Sequence, residues 1–277
     1  MSDGAVGTPA PDAGSLRGRV AIVTGAGSRE DAGIGNGRAA SAMLARRGAE
    51  LVLVDCRADW AAGTQTLVER EGGQCIFVEA DVATSEGSGE VARRALEAFG
   101  RIDVLVNNVG LHGPPGTALE MDEQAWAHLL QVNVTSMMLM AKHCIPEMAR
   151  QGGGAIINIA SVSGLEGGHP NLAYPTSKGA VVNLTRAMAA HHGAQGVRVN
   201  CVAPGMVYTP MVATRGMSPE LRQARLENAL LPVEGTGWDV GLAVAWLASD
   251  EARWITGVVL PVDGGATAAR KGKPSPQ

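Results

Sequence analysis

Short apolar runs alternate with stretches of helical periodicity along this 277-residue chain. The first run, RVAIVTG at 19–25, precedes a glycine-rich segment and then the helical stretch GRAASAMLARRG at 37–48. Nearly continuous runs of Val, Ile and Leu are typical of parallel strands buried on both faces. The alternation predicts an α/β fold, a single doubly wound domain whose parallel sheet has about seven strands. The predicted strands lie at 19–25, 50–55, 74–81, 101–110, 154–161, 197–205 and 257–265.

No linker divides this pattern, so we predict one domain at 17–265. A disordered N-terminal tail is expected at 1–16, and a C-terminal tail at 266–277. The region 206–237 mixes polar and apolar residues without a strand pattern. We expect it to form a flap of short helices that shapes the substrate pocket.

Composition and net charge argue against two classes of binding partner, nucleic acids and anionic membranes. Hydrophobic residues make up 45% of the chain and the net charge is −4, which predicts neither a nucleic-acid nor an anionic-membrane partner. No apolar run is long enough to span a bilayer. The four cysteines lack the spacing of a zinc or redox site, so no metal is predicted and a reducing cytoplasm is expected. They are Cys56, Cys75, Cys144 and Cys201.

The segment TGAGSREDAGIGNG, at 24–37, follows the first strand and opens a helix. The spacing T-G-x-x-x-G-x-G would need glycines at positions 29 and 31, but they arrive four residues late, at Gly33 and Gly35. We interpret this as a four-residue insertion at Arg29–Ala32, with the helix N-terminus still facing a pyrophosphate. The alternative is a glycine-rich turn that binds nothing.

Asp55 ends the second strand, about twenty residues after Gly35, where a carboxylate accepts hydrogen bonds from the adenosine ribose of NAD. It would also repel the 2′-phosphate of NADP, and the following residue, Cys56, is not basic. These features favour NAD. Arg29 or Arg57 could instead reach a 2′-phosphate.

Tyr174 and Lys178 are four residues apart, which places both on one face of a helix. A free tyrosine has a pKa of about 10, and a nearby ammonium stabilises the phenolate and lowers that value. The pair is therefore a candidate general acid/base for an alcohol or ketone. The alternative is an exposed helix start.

Several segments occur along the chain in the order typical of one known family. They are TGAGS…GIG, NNVG at 107–110, NVTS around Asn133, INIASVSG around Ser161, and YPTSK. PGMVYTP and ITGVVLPVDGG add to them. The chain resembles the short-chain dehydrogenases/reductases, a Rossmann-type family, over almost all of its length between the tails. The resemblance implies that Tyr174 exchanges the proton with substrate and that Lys178 lowers its pKa and holds the nicotinamide ribose. It further implies that Ser161 orients the substrate oxygen and that Asn133 holds a water linked to Lys178.

The same resemblance implies a cofactor site and an assembly. Asp81 and Val82 would flank the adenine, Asn107 would border the cofactor, and Thr209 would meet the carboxamide. VDGG would lie at a subunit contact, and a homotetramer is expected. The extended glycine loop and Val109, where the family usually has Ala, depart from the pattern. The implied cofactor residues are Gly25, Ser28, Gly33, Ile34, Gly35, Asp55, Asp81, Val82, Asn108, Gly110, Tyr174, Lys178, Pro204, Gly205, Val207 and Thr209.

The resulting hypothesis is NAD-dependent oxidation of a secondary alcohol, or the reverse reduction of a ketone. An NADPH-dependent 3-oxoacyl reductase is the alternative within the family. A dinucleotide-binding regulator without catalysis is the alternative outside it, and the presence of all four catalytic residues argues against it. The substrate stays open among sugars, steroids, cyclic alcohols and aromatic carbinols. His112 and His169 could contact it or be surface histidines.

Overall fold

The chain folds around one sheet of seven parallel strands, as predicted. The computed structural model describes residues 12–28, 34–210 and 216–269. The strand order is β3-β2-β1-β4-β5-β6-β7. The strands are β1 (Val20–Thr24), β2 (Glu50–Asp55), β3 (Cys75–Glu79), β4 (Val104–Asn107), β5 (Gly154–Ile159), β6 (Val197–Pro204) and β7 (Val259–Val262). The order reverses between β1 and β4, and open α/β sheets bind ligands beyond the strand ends at such a point.

Helices cover both faces of the sheet. They are α1 (Asn36–Arg46), α2 (Ala58–Arg70), α3 (Ser85–Phe99), α4 (Glu123–Leu130), α5 (Ser136–Arg150), α6 (Ala173–His192), α7 (Pro219–Glu227) and α8 (Gly237–Ala248). A single wide π turn, Gln131–Thr135, joins α4 to α5. Each strand is connected to the next along the chain by a segment that contains at least one helix, and such crossover connections allow all the paired strands to be parallel.

The core has two layers because the side chains of each strand alternate between faces. Ala21 and Val23 pack in one apolar cluster, and Val20 and Ile22 pack in the other. In the first layer α1 and α8 approach closely, since a Cβ on Gly241 would lie 2.8 Å from the Ala39 backbone. Burial on both faces is the reason that these strands read as continuous apolar runs.

The segment before β1 is packed against the domain. Leu16 is 1% exposed, and its N–H donates to the Arg47 carbonyl at 2.8 Å. The Ala13 carbonyl accepts from Glu251 N–H at 3.2 Å. The predicted boundary at residue 17 therefore falls inside a packed segment, because Leu16 fills an apolar site that local sequence does not reveal. Residues 1–11 of that predicted tail lie outside the described residues.

The end of the domain is tied back in a similar way. The Asp263 carboxylate accepts from Gly265 N–H at 2.8 Å and from both the N–H and hydroxyl of Thr267, at 2.8 and 2.7 Å. These bonds carry ordered backbone past the predicted domain end at 265. Residues 270–277 of the predicted C-terminal tail lie outside the described ranges.

The predicted flap, 206–237, contains α7 in its described part. Ser218 caps this helix, since its hydroxyl accepts from Leu221 N–H at 3.2 Å, and Pro219 occupies the first turn. Tyr208 forms an isolated parallel bridge with Thr236, which brings the two ends of the flap together. Residues 211–215 are outside the described part of the chain.

Candidate active site

The glycine turn after β1 packs tightly beneath α1. Gly25 adopts φ 63°, which favours glycine, and a Cβ on Gly37 would lie 2.2 Å from the Gly25 carbonyl. Both glycines are therefore needed by the fold. Ile34 sits at the entry to α1, and its carbonyl packs on the start of α8, where a Cβ on Gly237 would be 2.5 Å away.

Gly35 has a different character, because neither its conformation nor its neighbours require glycine. It precedes α1 with φ −76° and provides no side-chain cap. A Cβ there would meet no heavy atom of the described residues within 4 Å. Those residues leave the space beside the N–H groups of the α1 N-terminus open, which suits a bound pyrophosphate. Gly33 and the predicted insertion at Arg29–Ala32 lie outside the described residues.

The glycine turn is also fastened to β4. The Asn108 amide donates to the carbonyls of Thr24, at 3.2 Å, and Gly25, at 2.9 Å. In return the Thr24 hydroxyl accepts from Asn108 N–H at 3.1 Å and donates to Val106 O at 3.3 Å. Asn108 therefore joins the glycine turn to the end of β4. Thr24, which the sequence analysis did not single out, supplies the other half of this connection.

Asp55 lies at the end of β2 with its carboxylate turned towards the glycine turn. Its Oδ2 accepts from Gly27 N–H at 3.0 Å, and the residue is 7% exposed. Burial raises the pKa of Asp55, and backbone N–H bonds partly oppose that shift. Hydroxyl donors from a ribose would stabilise the ionised form at this position.

Gly27 lies against both Asp55 and Trp60, and the sequence analysis did not include Gly27 or Trp60 among the predicted site residues. A Cβ on Gly27 would lie 2.7 Å from both Asp55 Oδ2 and Trp60 Cβ. Ser28 N–H donates to the Trp60 carbonyl at 3.2 Å. Trp60 therefore anchors the described end of the glycine loop, a contact that sequence spacing does not encode.

The basic residue nearest Asp55 in sequence is already paired. Arg57 forms two hydrogen bonds of 3.0 Å with Asp59, and its guanidinium lies 5.3 Å from the Trp60 ring. Cys56, between Asp55 and Arg57, is exposed. Arg29, the other predicted phosphate-binding candidate, is outside the described residues.

Asp81 and Val82 follow β3 at the same edge of the sheet. Asp81 Oδ1 accepts from Ala83 N–H at 2.9 Å, and Val82 is 3% exposed. The Asp81 carboxylate thus stabilises the turn that leads into α3. Val82 supplies apolar surface to the core beneath it.

Asn133 lies in the π turn and is fully buried. Its amide holds both backbone groups of Leu111: Oδ1 accepts from N–H at 2.7 Å, and Nδ2 donates to the carbonyl at 2.8 Å. Nδ2 also lies 3.0 Å from the Ser177 hydroxyl, which donates to the Tyr174 carbonyl at 2.7 Å. Asn133 therefore connects the loop after β4 to the first turn of α6.

Tyr174 and Lys178 share one face of α6, as their spacing predicts. Lys178 Nζ lies 5.9 Å from the Tyr174 ring centre and donates to the Ile159 carbonyl at 2.9 Å. The lysine is 4% exposed, and burial lowers its pKa to about 8. A Cβ on Gly110 would lie 3.2 Å from Nζ and 3.7 Å from Asn133 Oδ1. The bare backbone at Gly110 thus leaves room for both side chains.

Ser161 follows β5 and is 9% exposed. Its hydroxyl accepts from Ser163 N–H at 3.2 Å, which fixes the side chain at the start of a short helical turn. The loop beyond this turn leads to His169, and the loop after β4 carries His112. The His112 ring stacks on Tyr174 with centres 4.5 Å apart, and the His169 ring centre is 5.4 Å from Tyr174.

The predicted nicotinamide-side residues follow β6. Pro204 ends that strand, and Gly205 lies against β7, since a Cβ there would be 2.5 Å from Asp263 Cβ. Val207 and Thr209 are 9% and 8% exposed. Packing against Asp263 accounts for the glycine at 205.

A buried polar chain beneath the site was not foreseen. Asn107 Nδ2 donates to Asn158 Oδ1 at 2.9 Å, and Asn158 Nδ2 donates to the Thr185 hydroxyl at 3.0 Å. This chain links β4, β5 and α6. Asn107 thus supports the strand ends from within the core.

Comparisons with known proteins agree with this geometry. A family model described as "Enoyl-(Acyl carrier protein) reductase" matches residues 27–267. Cis-4-hydroxycyclohexanecarboxylate dehydrogenase of Sinomonas cyclohexanicum is 36% identical over 250 residues, covering 90% of this chain and 97% of the relative. A crystal structure of a Burkholderia xenovorans short-chain dehydrogenase/reductase aligns with a TM-score of 0.88 at 39% identity, covering 92% and 99% of the two chains. The chain belongs to the short-chain dehydrogenase/reductase family.

A ligand-bound member of the family has the same fold. The structure of 7α-hydroxysteroid dehydrogenase complexed with NADH and 7-oxo glycochenodeoxycholic acid aligns with a TM-score of 0.85 at 31% identity, covering 92% of this chain and 96% of that one. As a short-chain dehydrogenase/reductase, this protein is an oxidoreductase that acts on alcohols or ketones with a nicotinamide dinucleotide, NAD or NADP. Within the described ranges, no helix combines the length and apolar character that a membrane crossing requires.

Proposed function

We propose that this protein oxidises a secondary alcohol with NAD, or reduces the corresponding ketone with NADH, and that Tyr174 is its general acid/base. The observation that carries the proposal is the buried Lys178 ammonium, 5.9 Å from the Tyr174 ring and below the strand-end cleft. A cation at this distance favours the phenolate, the form that accepts the carbinol proton. When bound, the nicotinamide ring supplies the hydride acceptor.

Ser161 and Asn133 position the reacting groups. In this proposal Ser161, whose hydroxyl oxygen accepts from Ser163 N–H, donates its hydroxyl proton to the substrate oxygen and holds that oxygen towards Tyr174. Asn133 holds the Leu111 backbone and, through Ser177, the first turn of α6. We assign Asn133 the role of positioning both the loop after β4 and the first turn of α6. This role is in addition to holding a water near Lys178. Such preorganisation fixes the distance that proton transfer requires.

Asp55 supports the choice of NAD. Its carboxylate is held by Gly27 N–H at the position where it would accept from ribose hydroxyls, and a 2′-phosphate there would face a negative charge. Arg57, the cation next to it in sequence, is committed to Asp59.

Replacement of Tyr174 tests the catalytic assignment. We expect Tyr174→Phe to lower kcat by about 10²–10⁴-fold, the usual contribution of general acid/base catalysis, while NADH still binds. Tyr208→Phe is the matched control, because the chain's other tyrosine also loses only a hydroxyl. Steady-state NADH absorbance and NADH fluorescence titration measure the two effects. Wild-type turnover in Tyr174→Phe would contradict the assignment.

Cofactor preference tests the role of Asp55. We expect kcat/KM for NAD to exceed kcat/KM for NADP. Asp55→Asn should reduce the ratio of these two values by at least about tenfold, because the variant loses one charge-assisted hydrogen bond to the ribose. Burial raises the pKa of Asp55, so this carboxylate is protonated at a higher pH than an ordinary aspartate. The NAD affinity of the wild type should therefore begin to weaken at that higher pH on acidification. The Asn variant should lack that dependence. A preference for NADPH would instead support the 3-oxoacyl reductase alternative.

Substrate class and assembly are also proposals. The relatives described above are named for a hydroxycyclohexanecarboxylate and a 7-hydroxysteroid, so cyclic secondary alcohols are the first substrates to test. We further propose a cytoplasmic homotetramer. Trp254 and Leu119, 92% and 97% exposed in the single chain, are large apolar side chains that a second copy would cover. Light scattering coupled to size exclusion gives the mass in solution.

A further inference from the structure

Two imidazole rings flank Tyr174, and the proton transfer proposed above uses neither. The His112 ring stacks on Tyr174 at 4.5 Å with an interplanar angle of 21°, and the His169 ring lies at 5.4 Å with an angle of 39°. His112 comes from the loop after β4, and His169 comes from the loop after β5. Both residues are half-buried.

The loop that carries His112 is held rigidly. Asn133 binds both backbone groups of the preceding residue, Leu111, at 2.7 and 2.8 Å. Leu172 N–H donates to the Gly116 carbonyl at 3.1 Å, which ties the His112 loop to the start of α6. The His112 imidazole is thus held against the Tyr174 ring by a fixed backbone.

The Asn171 backbone orients the His169 ring. Nδ1 lies 3.1 Å from Asn171 N and 3.2 Å from the Asn171 carbonyl oxygen, so it accepts from the N–H or donates to the carbonyl, depending on the tautomer. Among the described residues, none forms a hydrogen bond with Nε2. In the tautomer whose Nδ1 accepts from Asn171 N–H, the ring proton is on Nε2, which can then donate to a substrate oxygen beside the reactive phenol.

The same loops offer apolar surface around these donors. Leu111, Leu165 and Leu172 are large apolar side chains that are 43%, 38% and 39% exposed. Small-molecule sites commonly combine an apolar lining with a few placed polar groups. This surface suits a carbon skeleton that carries more than one oxygen.

We propose that His112 and His169 form a substrate subsite, the imidazole subsite, that binds a second oxygen function of the substrate while Tyr174 serves the reacting carbinol. The inference rests on the alcohol dehydrogenase activity proposed above. The shared chemistry is a hydrogen-bond acceptor, either a carboxylate or a second hydroxyl. Sites built to hydrogen-bond a substrate group discriminate strongly against analogues that lack it.

The test compares three cyclic alcohols with NAD: cis-4-hydroxycyclohexanecarboxylate, cis-1,4-cyclohexanediol and cyclohexanol. The wild type should show a higher kcat/KM for the carboxylate or the diol than for cyclohexanol. His169→Leu should reduce that preference about tenfold, the value of one hydrogen bond of about 1.4 kcal/mol, mainly through KM. His169→Gln, which restores an amide donor, should recover part of it. His191→Leu, an exposed histidine at the far end of α6, is the matched control.

The outcomes separate the two proposals. If the preference is unchanged in His169→Leu, or if the wild type prefers cyclohexanol, the imidazole subsite is wrong and the dehydrogenase proposal stands. If the wild type binds NADH but oxidises none of a broad panel of secondary alcohols, both proposals fail. Retained NADH affinity and thermal unfolding in His169→Leu show that the variant is folded, so a lost preference then reports on the subsite. A loss confined to the carboxylate or to the diol identifies the oxygen function.

Discussion

Burial of the Lys178 ammonium lowers the stability of the fold, while the same charge serves the proposed proton transfer. Lys178 is 4% exposed, and its ammonium donates a hydrogen bond to the Ile159 carbonyl. Burial lowers its pKa from 10.5 to about 8. Between these values the unfolded chain binds more protons than the folded one, so stability rises with pH in that window. Below pH 8 the folded state bears the full desolvation penalty, on the order of 3 kcal/mol.

Lys178→Met therefore should stabilise the fold while it abolishes turnover. At pH 7 we expect a gain of about 1–2 kcal/mol, smaller than the penalty removed because the Ile159 carbonyl loses its donor. The gain should shrink as the pH rises from 8 to 10. Denaturant unfolding at several pH values measures it, and Lys142→Met, an exposed lysine on α5, should show no such trend. A variant less stable than wild type at pH 7 would refute this account of the site.

At the scale of elements, the glycines around α1 divide into two kinds. Gly37 is required by packing, because a Cβ there would overlap the Gly25 carbonyl. A Cβ on Gly35 would meet none of the described residues, so we expect its bare backbone to serve a ligand rather than the fold. Sequence spacing alone treats these residues alike.

Substitution of each glycine by alanine should therefore affect a different property, stability for Gly37 and NADH binding for Gly35. Gly37→Ala should push α1 from the glycine turn and lower the free energy of unfolding by about 1–3 kcal/mol, the usual cost of overpacking. Gly35→Ala should leave stability near the wild-type value and weaken NADH binding, because its methyl group occupies the space beside the helix N-terminus. Chemical denaturation and fluorescence titration of both variants separate the effects. Equal loss of stability in the two would contradict the distinction.

Other element-scale features could not be read from sequence. The π turn at Asn133 inserts one extra residue into a continuous helical pattern. The apolar periodicity of the sequence does not locate a shift of one residue. The His112–Tyr174 stack joins a loop residue to a residue of α6 that is distant in sequence, so periodicity does not predict it. The Tyr174–Lys178 pair was predictable because both lie on one helix, four residues apart.

At the scale of the whole molecule, the N-terminal segment contributes to the core. Leu16 lies among polar and small residues, GSLRG, so local composition indicates a tail. Its burial is decided by surfaces remote in sequence, near Arg47 and Glu251. The parallel sheet, in contrast, was predictable, because two-sided burial makes each strand uniformly apolar. The strand order was not, since strand composition does not encode neighbours.

Leu16→Ala should cost about 2–4 kcal/mol, the range for truncating a fully buried leucine. Deleting residues 1–16 should cost at least as much, because it removes the same side chain. Leu221→Ala, at a side chain 52% exposed on α7, is the control. Thermal and denaturant unfolding measure all three variants. An unaltered Leu16→Ala would mean that this segment is dispensable.

The glycine loop is held on both sides of 29–33, by Ser28 on Trp60 and by Gly37 on Gly25. Because both anchors lie within the described fold, the span between them is a target for redesign. Removing the predicted four-residue insertion would give the spacing T-G-x-x-x-G-x-G, and exchanging the span for other peptides would create a library of loop variants on an unchanged scaffold. Coenzyme choice could then be evolved in this enzyme without altering the tyrosine or its supporting lysine.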